Sequence, residues 1–163
     1  MEKYIISALV QNNAGVLARV SSLFGRRGFN IDSLTVSPTT DPKRSRISIV
    51  VIGDTYILDQ VLKQMAKLEE CIQVTHIDDQ DAFCREMALV KFAADASERN
   101  AIREVCDIYS ANVVSEGDDF IIISISGTPS ELDVFLSVVS NFRIIESSRT
   151  GVTAMYKDKR TKN

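Results

Sequence analysis

Apolar positions along this chain switch repeatedly between two periods. Residues 4–10 form a mostly apolar run of strand length. At Val16 the period becomes helical: Val16, Leu17, Val20, Leu23 and Phe24 share one helix face. Arg26 and Arg27 suit the end of that helix, and Gly28 suits the residue just past it. Residues 31–37 predict a second strand, 38–45 a loop with two prolines and mixed charge, and 46–52 a β-branched third strand. Gly53, Asp54 and Thr55 make a turn with capping residues. Leu58, Val61, Leu62, Met65 and Leu68 then mark a second helix, and residues 71–77 a fourth strand. The order is β-α-β-β-α-β, the split βαβ or ferredoxin-like arrangement.

An acidic break follows at Asp78, Asp79, Gln80 and Asp81. It predicts a first domain over residues 1–78, a linker over 79–84 and a second domain over 85–163. The element order then repeats. Residues 85–94 read as a strand, and Asp95 opens a helix carrying Ile102, Val105, Cys106 and Tyr109 on one face. Residues 111–115 and 120–126 read as strands around a tight turn. Thr128, Pro129 and Glu131 form a capping box with proline at the first helical position. Leu132, Phe135, Leu136 and Val139 face inward from that helix, and residues 142–147 close the pattern. The expected fold is therefore α+β, two ferredoxin-like βαββαβ domains. A four-stranded sheet with both helices on one face leaves its other face and its edges open. That predicts a homodimer through the first half. The basic stretch 156–163 reads as a solvated terminus, with a partner-binding tail as the alternative.

Composition narrows the function classes. Net charge is −3, so no bulk electrostatic argument favours nucleic acid, and residues 46–52 lack the aromatics of an RNA-binding sheet. No apolar run reaches membrane-spanning length, and the first residues lack a signal-peptide pattern. Three widely spaced cysteines, Cys71, Cys84 and Cys106, fit reduced thiols in a cytoplasm. His76 is the only histidine, which leaves little for acid–base or metal chemistry. No phosphate-binding glycine loop is present.

One stretch retains chemistry: Gln11, Asn12, Asn13, Ala14 and Gly15, feeding the helix at Val16 and Leu17. A bland account has Asn12 or Asn13 capping the helix and Gly15 relieving the backbone. A functional account uses the same physics. Helix N-terminal N–H groups hold a carboxylate, glycine allows close approach, and asparagine amides supply donors and acceptors. Val16, Leu17 and Ile31 would supply an apolar wall, which together describes a site for a small aliphatic amino acid. With ordinary backbone angles at Gly15, a substitution there would cost little stability.

The run from Asn12 to Arg19, followed by Arg27, Gly28, Phe29, Asn30, Ile31, Asp32, Ser33, Leu34, Thr35 and Val36, resembles the ACT-domain amino-acid sensors. More narrowly it is similar to the small, regulatory subunits of acetolactate (acetohydroxyacid) synthase. Ser45-Arg46, Leu89-Val90-Lys91 and Ser148 to Val152 extend the likeness over almost the whole chain. The resemblance implies that the first domain is an ACT domain binding valine between two copies. Its ligand residues would be Asn12, Asn13, Ala14, Gly15, Val16 and Leu17 of one chain, with Asn30 and Ile31 of the other. It further implies a chain that is not catalytic and binds no cofactor. Such a chain activates a large catalytic subunit carrying thiamine diphosphate, FAD and magnesium, and makes it sensitive to feedback inhibition. An ACT-type module regulating a different enzyme is the alternative.

Overall fold

The computed structural model describes residues 2–78 and 80–157. The chain runs β1 (Glu2–Gln11), α1 (Val16–Arg27), β2 (Asn30–Pro38), β3 (Arg44–Gly53), α2 (Thr55–Met65), β4 (Cys71–Ile77), β5 (Ala82–Ala93), α3 (Ala96–Tyr109), β6 (Asn112–Glu116), β7 (Phe120–Gly127), α4 (Pro129–Val139), β8 (Ile144–Arg149) and β9 (Thr153–Tyr156). Two βαββαβ arrangements with antiparallel sheets are present, as the periodicity predicts. The strand orders are β2-β3-β1-β4 and β6-β7-β5-β8. Strand β9 pairs with β5 and has no counterpart in the sequence reading. It is four residues long, too short to show a period beside a charged tail.

By contacts the chain falls into two units. One gathers residues up to Cys84 with those from Gly151 onward, and the other spans Arg85–Thr150. Residues 82–84, read from sequence as linker, open β5. Residues 151–157, grouped by sequence with the second half, pack with the first.

In the first unit, helical and strand periods aim at one core. Ile6, Ala8 and Val10 from β1 and Ile47, Ile49 and Val51 from β3 meet Val20, Leu23 and Phe24 of α1 and Val61 and Met65 of α2. Gly28 ends α1 at φ 67°, a left-handed position that glycine takes without strain, and Phe29 N–H closes back on Phe24 O at 3.1 Å. The opposite sheet face is not fully open, contrary to the sequence expectation. Ile5, Val50 and Ile77 are buried there against Ala82, Val152 and Ala154. The returning C-terminal segment covers that one apolar row, because leaving it in water costs roughly 25 cal/mol per Å².

The second unit repeats the plan around Val90, Phe92, Ile121, Ile123, Leu132 and Phe135. The Thr128 capping box forms as predicted: Thr128 Oγ1 accepts from Glu131 N–H at 3.3 Å, and Glu131 Oε2 accepts from Thr128 N–H at 2.6 Å. Asp95 and Glu98 form a second capping box at α3. Glu86, buried on β5, is held by Arg149, which also reaches Asp133 and donates to Pro129 O at 3.2 Å.

Candidate functional site

The turn between β1 and α1 departs from ordinary capping. Gly15 itself occupies the N-cap position at φ 86°, ψ −11°, and no side chain caps the helix. Both asparagines are engaged elsewhere. Asn12 Nδ2 donates to Pro42 O at 2.9 Å, and Asn13 Nδ2 donates to Gln11 Oε1 at 3.0 Å. Each therefore keeps its amide oxygen as an acceptor. Val16 N–H turns back to Asn13 O at 3.3 Å, and Arg19 N–H to Gly15 O at 3.0 Å. The N–H groups of Leu17 and Ala18 find no acceptor among the described residues. Two unpaired donors at the positive end of a helix dipole make an anion-binding position.

The condition under which a substitution at Gly15 costs little is not met, since φ 86° is a left-handed conformation. A Cβ there would meet nothing within 4 Å, so the constraint is backbone strain and not space. Ala14 and Gly15 are exposed, Val16 is buried in the core, and Leu17 remains 39% exposed as an apolar wall. The loop before β3 braces the turn, with Asn12 N–H donating to Lys43 O at 2.8 Å. Arg19 pairs with Glu70 at the same edge. From sequence, residues 38–45 are a loop open to two readings, a mobile connector or a contact for the large subunit. The one local signal for their role was Asp41, whose Oδ1 accepts from Lys43 N–H at 3.0 Å and folds the loop back.

Register separates the remaining site residues from the turn. Gln11 pairs with Arg44, and Ser45 with Pro38, so the turn lies level with the end of β2. Asn30 pairs with Ile52, which pairs with Lys3 at the start of β1. At about 3.4 Å per residue, Asn30 sits roughly 27 Å from the turn along the strand direction. One chain therefore does not bring Asn30 and Ile31 to Asn12, Asn13, Ala14, Gly15, Val16 and Leu17.

Cys71, Cys106 and His76 are packed within the fold. Burial pushes the Cys71 and Cys106 thiols up, away from nucleophile behaviour. His76 packs edge-on against Tyr4, ring centroids 5.6 Å apart, and its carbonyl accepts from Tyr156 Oη at 2.8 Å. No helix among the described residues is long and apolar enough to cross a membrane.

Known proteins carry the same pattern. Residues 6–73 match the model of the acetohydroxyacid synthase small subunit-like ACT domain, and residues 85–158 match that of the small subunit of acetolactate synthase. The chain is 35% identical over 159 residues to the acetolactate synthase small subunit of Buchnera aphidicola, covering 97% of this chain and 100% of that one. It is 41% identical over 155 residues to a probable acetolactate synthase small subunit of Archaeoglobus fulgidus, covering 95% and 97%. The crystal structure of the acetolactate synthase small subunit from Thermotoga maritima superposes with a TM-score of 0.91 at 35% identity, covering 98% and 99%. Both family models, the full-length relatives and the shared fold agree, and the chain belongs to the acetolactate synthase small-subunit family.

Proposed function

We propose that this chain is a regulatory subunit that senses valine and controls the catalytic subunit of an acetolactate synthase. The carrying observation is the uncapped start of α1. The Leu17 and Ala18 N–H groups receive the valine carboxylate, and the amide oxygens of Asn12 and Asn13 accept from its ammonium. Leu17 covers the side chain.

Strand register supports a site shared by two copies. Strand β2 is an edge of its sheet. Antiparallel pairing of two β2 edges about a two-fold axis brings the start of one β2 level with the end of the other. The Asn30 and Ile31 of a second copy then face this turn. Valine bound there prefers one subunit arrangement, and the catalytic subunit prefers another. The inhibition can be no larger than valine's differential affinity for the two. In this reading thiamine diphosphate, FAD and magnesium reside on the catalytic subunit, which this chain activates.

Calorimetric titration of the full chain with valine tests the site. Saturable binding is expected, weakened at least about tenfold in Gly15→Asp, where a carboxylate side chain would oppose the ligand's own. Wild-type affinity in that variant would remove the assignment. Copurification tests the partner: capture of an active thiamine-diphosphate enzyme whose turnover rises with added chain and falls with valine is the expected outcome.

A further inference from the structure

The first unit's sheet presents three cross-strand rows on the face away from α1 and α2, and they differ in chemistry. Ser33, Val50, Ile5 and Ile77 make the apolar row that the C-terminal segment covers. Thr35, Ser48, Ser7 and Thr75 place one hydroxyl on every strand. Ser37, Arg46, Leu9 and Gln73 make the third row. Thr35 Oγ1 donates to Val152 O at 3.1 Å, so the C-terminal segment covers that end of the second row; over Ser7, Thr75 and the third row the face opens into a cavity of about 470 Å³, walled by residues 38–41 and by Met155 and Tyr156.

Charge in this cavity is unbalanced. Arg44 Nε lies 3.3 Å from Asp41 Oδ2, and that pair cancels. Arg46 is half-buried, and its Nη1 donates to Ser7 Oγ at 3.1 Å. No carboxylate among the described residues comes within ion-pair distance of it. Ser7 is only 4% exposed; its oxygen is taken by Arg46, and its proton has no acceptor among the described residues. The guanidinium and the Ser7 hydroxyl are bonded to each other, and both keep donor capacity toward the cavity that an anion can take up.

We propose that this cavity is a second small-molecule site, separate from the α1 turn, and that it takes a small aliphatic monocarboxylate. The Arg46 guanidinium offers a planar donor fork to the carboxylate, with the Ser7 and Thr75 hydroxyls beside it. Leu9, Ile77 and Met155 line the room left for an apolar chain. A single net positive charge matches a monocarboxylate better than a phosphate dianion. Asp41 is engaged by Arg44 and by Lys43 N–H, which weakens its pull on an ammonium and favours a plain carboxylate over an amino acid.

The test is NMR titration of the isotope-labelled full chain with butyrate, with n-butanol, inorganic phosphate and sodium chloride as controls at matched ionic strength. Butyrate is expected to shift the Ser7, Arg46 and Thr75 amides and the Arg46 Nε–H saturably. Arg46→Gln should weaken that binding at least about tenfold. Ser7→Ala keeps the charge and should weaken it by a few-fold, giving a readout even if Arg46→Gln folds poorly. Valine titration at the α1 turn should be unchanged in both. The proposal is overturned by non-saturable shifts, by equal shifts with butanol or chloride, by tighter binding of phosphate than butyrate, or by wild-type butyrate affinity in the variants that fold.

Discussion

At the residue scale the turn is governed by Gly15. Its φ of 86° is strained for any residue with a Cβ, yet the space around a Cβ is empty. Strain alone then sets the cost. Gly15→Ala should lower the unfolding free energy by about 1 kcal/mol in chemical denaturation. Gly15→Asn should cost less, because asparagine tolerates the left-handed region. Gly15→Asn therefore separates backbone strain from the electrostatic effect expected of Gly15→Asp on valine binding. The glycine was legible in sequence as the last residue before a helical period. The fate of Asn12 was not. Its amide is held by Pro42, thirty positions along the chain, through a bond that no local spacing reveals.

At the scale of elements, local signals specify where helices begin. Thr128 and Glu131 announce α4 because a capping box satisfies backbone donors locally, without tertiary help. Thr128→Ala should cost about 1 kcal/mol, read as a lower thermal midpoint. The boxes also make the second unit acid-sensitive. The Glu98 N–H, then the Ser97 hydroxyl, hold the Asp95 carboxyl below its ordinary 3.8, and the Thr128 N–H holds the Glu131 carboxyl below 4.5. Lowered folded-state values mean that this stabilisation is complete above the ordinary values and is lost as pH falls below them and through the lowered folded-state ones. Asp95→Asn keeps a good cap that does not titrate. Denaturation between pH 5 and about pH 3 should therefore show a shallower loss in Asp95→Asn than in the parent chain. Interactions between residues far apart in sequence leave no local signal. Arg149 meets buried Glu86 from 63 positions away, and only the fold brings β8 beside β5. Arg149→Ala should destabilise by roughly 2 kcal/mol, because it leaves a buried carboxylate unpaired. In a Glu86→Gln background the same change should cost less, and a double-mutant cycle measures the difference.

For the whole molecule, the sequence supplied two repeats and an expectation of paired edges, but not the covering of the first sheet by residues 151–156. That contact brings Val152 and Ala154 to Ile5 and Val50, more than a hundred positions away, through apolar residues too few to show a period. With the apolar row of that face occupied, the β2 edge becomes the better surface for a second copy. The shared valine site proposed above uses that edge, and mixing two damaged chains tests it. Gly15→Asp damages the turn, and Asn30→Ala damages the contribution from the opposite end of β2. Each homodimer should bind valine weakly. In a mixed dimer, one site combines both lesions. The other joins the intact turn of the Asn30→Ala chain to the intact Asn30 of the Gly15→Asp chain. Unfolding and refolding the two variants together should thus restore wild-type affinity at one site per mixed dimer, seen calorimetrically as a new high-affinity fraction. Each variant treated alone should show none. If a single chain held the whole site, every chain in the mixture would carry its own lesion, and no high-affinity fraction could appear.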